Sequence, residues 1–180
     1  ATEITALQRT LQALDMENLK RVAEILGKAP HIVFAGTGGS LIVAKDAHHK
    51  FLKIGIRVCA VEDKDIQLME ASLLQPGDVL FAVSHSGNNL HVLRAAEVGK
   101  SCGATVGGLT SEGKNRLSKI ADYIITTISE ETIFRSESAS TRLAQLAVMD
   151  SLIAIVAFQD YDKSFQAIYK TRASTSDNKV

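Results

Sequence analysis

Apolar residues recur at helical spacing over residues 1–30. One repeat, with steps of three or four positions, runs from Leu7 to Leu14, and a second runs from Leu19 to Leu26. Asp15 lies between the two repeats, and a glycine and a proline follow the second. Because such residues interrupt helices, the pattern predicts two consecutive N-terminal helices over residues 2–29.

Between residues 30 and 130 the pattern changes to short apolar runs that alternate with helical segments. The helical segments include residues 41–53 and 90–100. The runs of strand length are residues 32–35, 56–61, 79–83, 104–109 and 123–127. Strand-length runs separated by helices predict a parallel sheet covered on both faces, and therefore an α/β core over residues 30–130.

The C-terminal part of the chain begins with an almost wholly apolar helical segment, from about Ser140 to Phe158. We expect a helix of this composition to be buried on nearly all sides, either in the core or against a partner. A weaker helical stripe follows from Phe165 to Tyr169. The pattern predicts C-terminal helices over residues 137–171 and a disordered polar tail over residues 173–180.

Length and charge limit the organisation of the chain and its partners. With 180 residues, 46% of them apolar, the chain can bury one sizeable core, and we expect a single domain over residues 1–172. The 20 basic and 20 acidic residues cancel, so no long-range field favours nucleic acid or an anionic membrane. DNA binding would therefore require another segment of protein.

The sequence predicts a cytoplasmic protein without a membrane crossing. The longest apolar stretch, residues 143–158, is interrupted by polar residues and is shorter than the ~20 residues that a bilayer requires. A secretory signal pattern is not found at the start of the sequence. Cys59 and Cys102 lack CxxC spacing, which indicates buried free thiols in a reducing compartment and no metal site.

A glycine-rich turn, Gly36 to Ser40, follows the first predicted strand. Its glycines allow the backbone to approach a ligand closely, and Ser40 offers a hydroxyl at the start of a helix. Ligands bind beyond the carboxyl ends of strands in an open parallel sheet, which makes this turn a candidate site. A dinucleotide site is the alternative, but the sixth residue of the GxGxxG pattern would be Leu41. We predict no cofactor.

A second loop, Ser84 to Asn89, follows the third predicted strand. It places two serine hydroxyls and two carboxamides directly before a helix N-terminus, which carries a partial positive charge. Such a loop can bind an anion without lysine. The alternative is that Ser84 and Asn88 only cap the helix.

These loops carry a family resemblance that extends from about Leu19 to Phe158. The resemblance is to the successive signatures of the SIS (sugar isomerase) family, at Gly36–Ser40, Ser84–Gly87, Gly103–Val106 and Leu109–Thr110. It implies a three-layer α/β/α sandwich of the flavodoxin-like type, with a five-stranded parallel sheet. It also implies dimerisation and a phosphosugar held by the serine loop.

The resemblance to the SIS family further implies a set of ligand contacts. The family usually has threonine where this chain has Asn89, and an asparagine side chain can also donate to phosphate. Carried onto this sequence, the contacts are Gly38, Ser40, Ser84, Ser86 and Asn89.

A later segment is similar to one branch of regulators. Phe134–Glu137 and Ser140–Leu146 resemble the corresponding stretch of RpiR-family transcription regulators. In that family an N-terminal helix-turn-helix domain binds DNA and a C-terminal SIS domain senses a sugar phosphate. The resemblance implies an effector domain, in a homodimer or tetramer, that binds a phosphorylated sugar or amino sugar. DNA would contact only the helix-turn-helix domain, which we do not find in this sequence.

A sugar-phosphate isomerase is the alternative function, because the SIS fold also serves enzymes. An aldose–ketose isomerase needs a base, and Glu137, at the start of the long apolar helix, is the best candidate. Glu137 could instead complement the dipole of that helix. Arg135 could pair with the phosphate or with a neighbouring carboxylate, and both residues are candidate ligand contacts. Further candidates for proton transfer are His48, His49, His85 and His91.

Overall fold

The computed structural model describes residues 2–129 and 139–176. The two N-terminal repeats form the first two helices, as predicted, and the Asp15 carboxylate caps the second by accepting from the backbone N–H of Glu17 and Asn18, both at 3.0 Å. The elements are, in chain order, α1 Thr2–Ala13, α2 Met16–Lys28, β1 Ile32–Ala35, α3 Gly39–Lys53, β2 Val58–Cys59, α4 Lys64–Ser72, β3 Val79–Val83, α5 Leu90–Ser101, β4 Thr105–Ser111, α6 Leu117–Ile120, β5 Tyr123–Thr127, α7 Ala139–Gln159 and α8 Tyr161–Ser174.

The five strands form one parallel sheet in the order β2-β1-β3-β4-β5, which confirms the predicted fold class. Strand β1 lies between β2 and β3, since Val33 pairs with Cys59 on one side and with Leu80 on the other. The chain leaves β1 toward one edge of the sheet and returns to form β3. Strand order therefore reverses between β1 and β3, and ligands bind beyond the carboxyl ends of strands at such a reversal.

Helices cover both faces of the sheet and give three layers. On one face, α2, α3 and α7 pack against Phe34 and Phe81, whose ring centroids lie 5.7 Å apart. On the other face, α4, α5 and α6 pack against Leu80 and Val106. Because both faces are covered, every residue of β1 and β3 is apolar and buried.

Helix α7 has 21 residues and extends beyond the apolar run seen in the sequence. Among the described residues it is the one helix long and apolar enough to span a membrane, and 44% of its apolar window is buried inside the protein. The prediction that this stretch is too short to span was wrong, because Gln145 and Asp150 do not interrupt the helix. Its buried side, which includes Ala144, Val148 and Leu152, joins the core formed with α2 and α3. Helix α7 is therefore buried in the core along one side only, and not on nearly all sides.

Several predicted boundaries differ from the structure by a few residues, and two of these differences concern β2 and α8. Strand β2 is only two residues long instead of residues 56–61, and it lies at the edge of the sheet, where it pairs only with β1. Helix α8 continues to Ser174, so the prediction of a disordered tail was wrong for its first two residues. Residues 177–180 of that predicted tail lie outside the described residues.

Candidate functional site

The turn after β1 is shaped by Gly36 and held by Gln67 of α4. A Cβ atom on Gly36 would lie 3.1 Å from the backbone carbonyl of Ser40, so glycine permits the tight turn. The buried Gln67 side chain accepts from the Gly36 N–H at 3.2 Å and donates to the Gly36 carbonyl at 3.0 Å. It also donates to the Val61 carbonyl at 2.9 Å. Gln67 therefore fixes the segments that follow β1 and β2 to each other.

The N-terminus of α3 faces this turn and lies beside an arginine. Gly38 is the N-cap of α3, has a φ of 55° and provides no side-chain cap. The partial positive charge of the helix N-terminus is thus not offset by a capping side chain. Arg142 of α7 is close by, because a Cβ atom on Gly39 would lie 3.4 Å from its Nη1. The Arg142 guanidinium therefore lies beside the start of α3.

The loop after β3 begins at the buried Ser84 and turns at Gly87. The Ser84 carbonyl accepts from the Gly87 N–H at 3.1 Å. Gly87 has a φ of 62°, and a Cβ atom there would lie 2.3 Å from the side chain of Asn115. Asn115 is itself buried and donates to Thr110 Oγ1 at 3.3 Å. The close packing against Asn115 explains why the second serine of this loop is followed by glycine.

The two carboxamides of this loop have different structural partners. Asn89 is the N-cap of α5, and its Oδ1 accepts from the backbone N–H of His91 and Val92, both at 3.1 Å. Asn88 Oδ1 accepts from the Arg116 N–H at 3.1 Å and ties the loop to the segment before α6. The alternative assignment of the cap to Ser84 and Asn88 was wrong. Asn89 remains a predicted ligand contact only through its Nδ2 group, since its oxygen is used in the cap.

A hydrogen bond joins the two loops. Ser40 Oγ accepts from the backbone N–H of His85 at 3.4 Å. Gly38 and Ser40 therefore lie beside the loop that carries Ser84 and Ser86. The structure brings these four predicted contacts to one edge, at the carboxyl ends of β1 and β3.

The other predicted site residues lie away from these two loops or outside the described residues. Arg135 and Glu137 fall outside the described residues. His48 and His49 lie in the middle of α3, about 12 Å or more along its axis from Ser40, which is too far for a direct role at these loops. His49 is exposed and His48 half-buried, which fits the expectation that one of the pair faces solvent.

His91, in the first turn of α5, is a half-buried imidazole close to the N-terminus of α4. Burial lowers its pKa, and the nearby charge of Lys64 acts in the same direction. Its Nε2 is buried and has no hydrogen-bond partner among the described residues. The imidazole is consequently held in its neutral form over a wider pH range than a free histidine.

The two cysteines are not paired with each other. Cys59 and Cys102 are free and half-buried, so the prediction that both are buried was wrong. Burial raises the pKa of the Cys59 thiol to about 11, with a further contribution from the Glu70 carboxylate. Cys59 therefore remains a protonated thiol at neutral pH. Within residues 2–129 and 139–176, no three His, Cys, Asp or Glu side chains are grouped so as to hold a metal ion.

Three residues that shape the site were missed by the sequence reasoning. Gln67 acts on a glycine 31 positions away, and Arg142 approaches the turn after β1 from α7. Asn115 packs against Gly87 from the segment before α6. Nothing in the spacing of these residues indicates such contacts, because each acts on a loop from a different element.

Comparison with known proteins identifies the family. The family model for the SIS domain matches residues 25–155 of this chain. The chain belongs to the SIS domain family. The matched residues contain every strand of the sheet and both loops of the candidate site.

Solved structures with this fold include a protein bound to a sugar phosphate, a domain of a transcription factor and an enzyme. The Vibrio vulnificus NanR protein complexed with ManNAc-6P is 25% identical with a TM-score of 0.90, and the match covers 97% of this chain and 66% of the NanR chain. The sugar isomerase domain of an RpiR transcription factor from Sphaerobacter thermophilus is 21% identical with a TM-score of 0.86, over 95% of this chain and 94% of that one. A phosphoheptose isomerase from Francisella tularensis is 18% identical with a TM-score of 0.71, over 86% and 91%.

Proposed function

We propose that this chain is the phosphosugar-binding effector domain of a bacterial transcription regulator of the RpiR type. The observation that carries the proposal is the Ser40–His85 hydrogen bond, which joins two hydroxyl-bearing loops where strand order reverses. The likeness to NanR, solved with ManNAc-6P, supports a phosphosugar as the ligand. The resemblance of residues 140–146 to RpiR regulators supports a sensing role.

The phosphate would lie between the N-terminus of α3 and the loop before α5. The hydroxyls of Ser40, Ser84 and Ser86 can each donate to a phosphate oxygen. The dipoles of α3 and α5 favour negative charge at the same place, and the guanidinium of Arg142 adds to that field. The site can therefore attract a dianion without a lysine in either loop.

Ligand binding would act on DNA binding through the arrangement of paired subunits. Because the two loops belong to different βα units, a phosphate that contacts both favours one relative position of these units. In a homodimer or tetramer this preference would bias the placement of helix-turn-helix domains elsewhere in the regulator. Because this chain has no net charge, we expect those domains to make the contacts with DNA.

An aldose–ketose isomerase is the second candidate, and it is favoured by the fold shared with a phosphoheptose isomerase. Such an enzyme moves a proton between adjacent carbons and needs a base close to them. The two loops, Gly36 to Ser40 and Ser84 to Asn89, contain no carboxylate. Glu137 is therefore the leading candidate base, and the His85 imidazole within the second loop is the other candidate.

Calorimetric titration with ManNAc-6P, other N-acetylhexosamine 6-phosphates and hexose 6-phosphates tests the proposal. We expect one of them to bind and to be recovered unchanged. Ser84→Ala should weaken its binding about tenfold or more, because a hydrogen bond to a charged group contributes about 1.5–3 kcal/mol. Ser101→Ala, which removes an exposed hydroxyl at the other end of α5, is the control and should leave the affinity unchanged.

Two outcomes would contradict the sensor. Interconversion of an aldose and a ketose phosphate that is abolished by Glu137→Gln would establish the isomerase. Failure of every phosphosugar to bind, with Ser84→Ala affecting only stability, would contradict both functions and indicate a structural dimerisation module.

A further inference from the structure

A groove of about 470 Å³ borders the turn after β1. Its walls are the turn itself, the first two turns of α3 and the segment that joins β2 to α4. Ligand pockets typically measure roughly 300–1,000 Å³, so the groove has room for a small organic molecule. Gly38 lines the groove, and its Cα atom lies within about 7 Å of the Ser40 Cα atom because one residue separates them.

An ion pair forms the polar wall of this groove. Lys45 Nζ, on α3, lies 2.7 Å from Glu62 Oε2, in the segment after β2. The side chains remain 46% and 78% exposed, so the pair contributes little to folding. The hydrogen bond from Lys45 and its charge lower the pKa of Glu62, which keeps this carboxylate ionised at neutral pH. The wall therefore offers a strong donor and a strong acceptor side by side.

The rest of the lining is a second cation and an apolar surface. Lys64 lines the groove and is the first residue of α4, where the helix dipole disfavours a positive charge. With Lys45 and Glu62, it leaves the groove with a net positive charge, which suits an anionic ligand. Leu41 and Ile42 supply the apolar part, and Ile42 is 56% exposed although it is aliphatic.

We propose that this groove holds the hydroxyl-bearing carbon body of the phosphosugar whose phosphate lies on the serine loop. A hydroxyl both donates and accepts, so two neighbouring hydroxyls match Lys45 as donor and Glu62 as acceptor. Ile42 packs against the C–H surface of the same body. The inference rests on the proposed function and assigns to the Lys45–Glu62 pair the choice among sugars that share one phosphate.

The test separates recognition of the sugar body from recognition of the phosphate. The variant Lys45→Met/Glu62→Gln keeps the shape of both side chains and removes both charges. Glu17→Gln/Lys20→Met is the matched control, because it removes an exposed pair of 3.0 Å on α2, a helix that contacts β5 at the edge of the sheet opposite β2. Binding of the tightest phosphosugar among the hexose and N-acetylhexosamine 6-phosphates is measured by calorimetry, and binding of inorganic phosphate by phosphorus NMR.

We expect the groove variant to bind that phosphosugar about tenfold more weakly and inorganic phosphate within about twofold of the wild-type affinity. The control variant should bind both probes with the wild-type affinity. Both variants should keep the melting temperature within about 3 °C of the wild type. An unchanged phosphosugar affinity in the groove variant, or an equal loss for inorganic phosphate, would overturn this inference and leave the proposed function intact. Failure of the wild-type chain to bind any phosphosugar would overturn the proposed function, and the inference with it.

Discussion

Ser40 and His85 are 45 positions apart in the sequence and are joined by a hydrogen bond of 3.4 Å from the His85 N–H to Ser40 Oγ. The carbonyl of His85 is held in turn by Thr110 Oγ1 at 3.1 Å and by the Ser111 N–H at 2.9 Å. The turn after β1, the loop after β3 and the end of β4 are therefore connected. A ligand that binds at this edge contacts one connected surface instead of separate turns.

Ser40→Ala should weaken phosphosugar binding about tenfold, because it removes a donor to the phosphate and the link to His85. The cost in the free energy of unfolding should be small, about 0.5–1.5 kcal/mol for one partly buried hydrogen bond. Calorimetry and urea unfolding measure the two effects. Ser72→Ala, at the end of α4, is the control, and an affinity for Ser40→Ala equal to that of the control would contradict the assigned role.

Gly87→Ala should destabilise the protein by about 2–5 kcal/mol, through a strained backbone and a clash with Asn115. Gly113→Ala is the matched control, because Gly113 also has a positive φ but has no atom within 4 Å of the position that a Cβ atom would occupy. Only backbone strain applies there, about 1–2 kcal/mol. Urea unfolding of both variants separates strain from packing, and equal losses would show that the contact with Asn115 is unimportant.

Gln67→Leu should lower the free energy of unfolding by about 2–4 kcal/mol. The substitution keeps the size of the side chain but leaves the backbone groups of Gly36 and the carbonyl of Val61 without their partner. Gln12→Leu, at an exposed position of α1, should change stability by less than about 0.5 kcal/mol. If Gln67→Leu lowers the free energy of unfolding no more than Gln12→Leu does, the hydrogen bonds of Gln67 do not stabilise the turn after β1.

Protonation of His91 should make the protein less stable in mild acid. The lowered pKa means that, below its ordinary value of 6.5, the unfolded chain binds a proton that the folded chain does not. Stability contributed by the neutral imidazole is therefore complete above that value and is lost as the pH falls through the folded pKa. The loss between about pH 7 and pH 5 should be smaller in His91→Gln than in the wild type. Urea unfolding at several pH values tests this prediction, with His49→Gln as the control. A loss of stability in His91→Gln as large as that of the wild type would contradict it.

The sheet and its two loops were predictable because their signals are local. Buried strands such as Val79–Val83 are continuous apolar runs, and the turns after them contain glycines that the backbone geometry requires at Gly38 and Gly87. Helix α7 was recognised from its composition, but the sequence did not reveal that only one side of it joins the core, since that depends on which helices lie beside it.

The supporting contacts of the site were not predictable, because they depend on the fold. Gln67 and Asn115 are buried polar residues whose partners lie in other elements, and a single sequence does not show such pairs. The Lys45–Glu62 pair forms only when α3 and the segment after β2 meet beside the turn.

The most direct test of the central claim is an NMR titration of the ¹⁵N-labelled chain with ManNAc-6P and with the other N-acetylhexosamine and hexose 6-phosphates. We predict that a binding phosphosugar shifts the backbone amide signals of residues 38–41 and 84–91, while the signals of β5 and α2 remain in place. Amide shifts confined to other elements, or no shift with any phosphosugar, would contradict a phosphosugar site on these two loops.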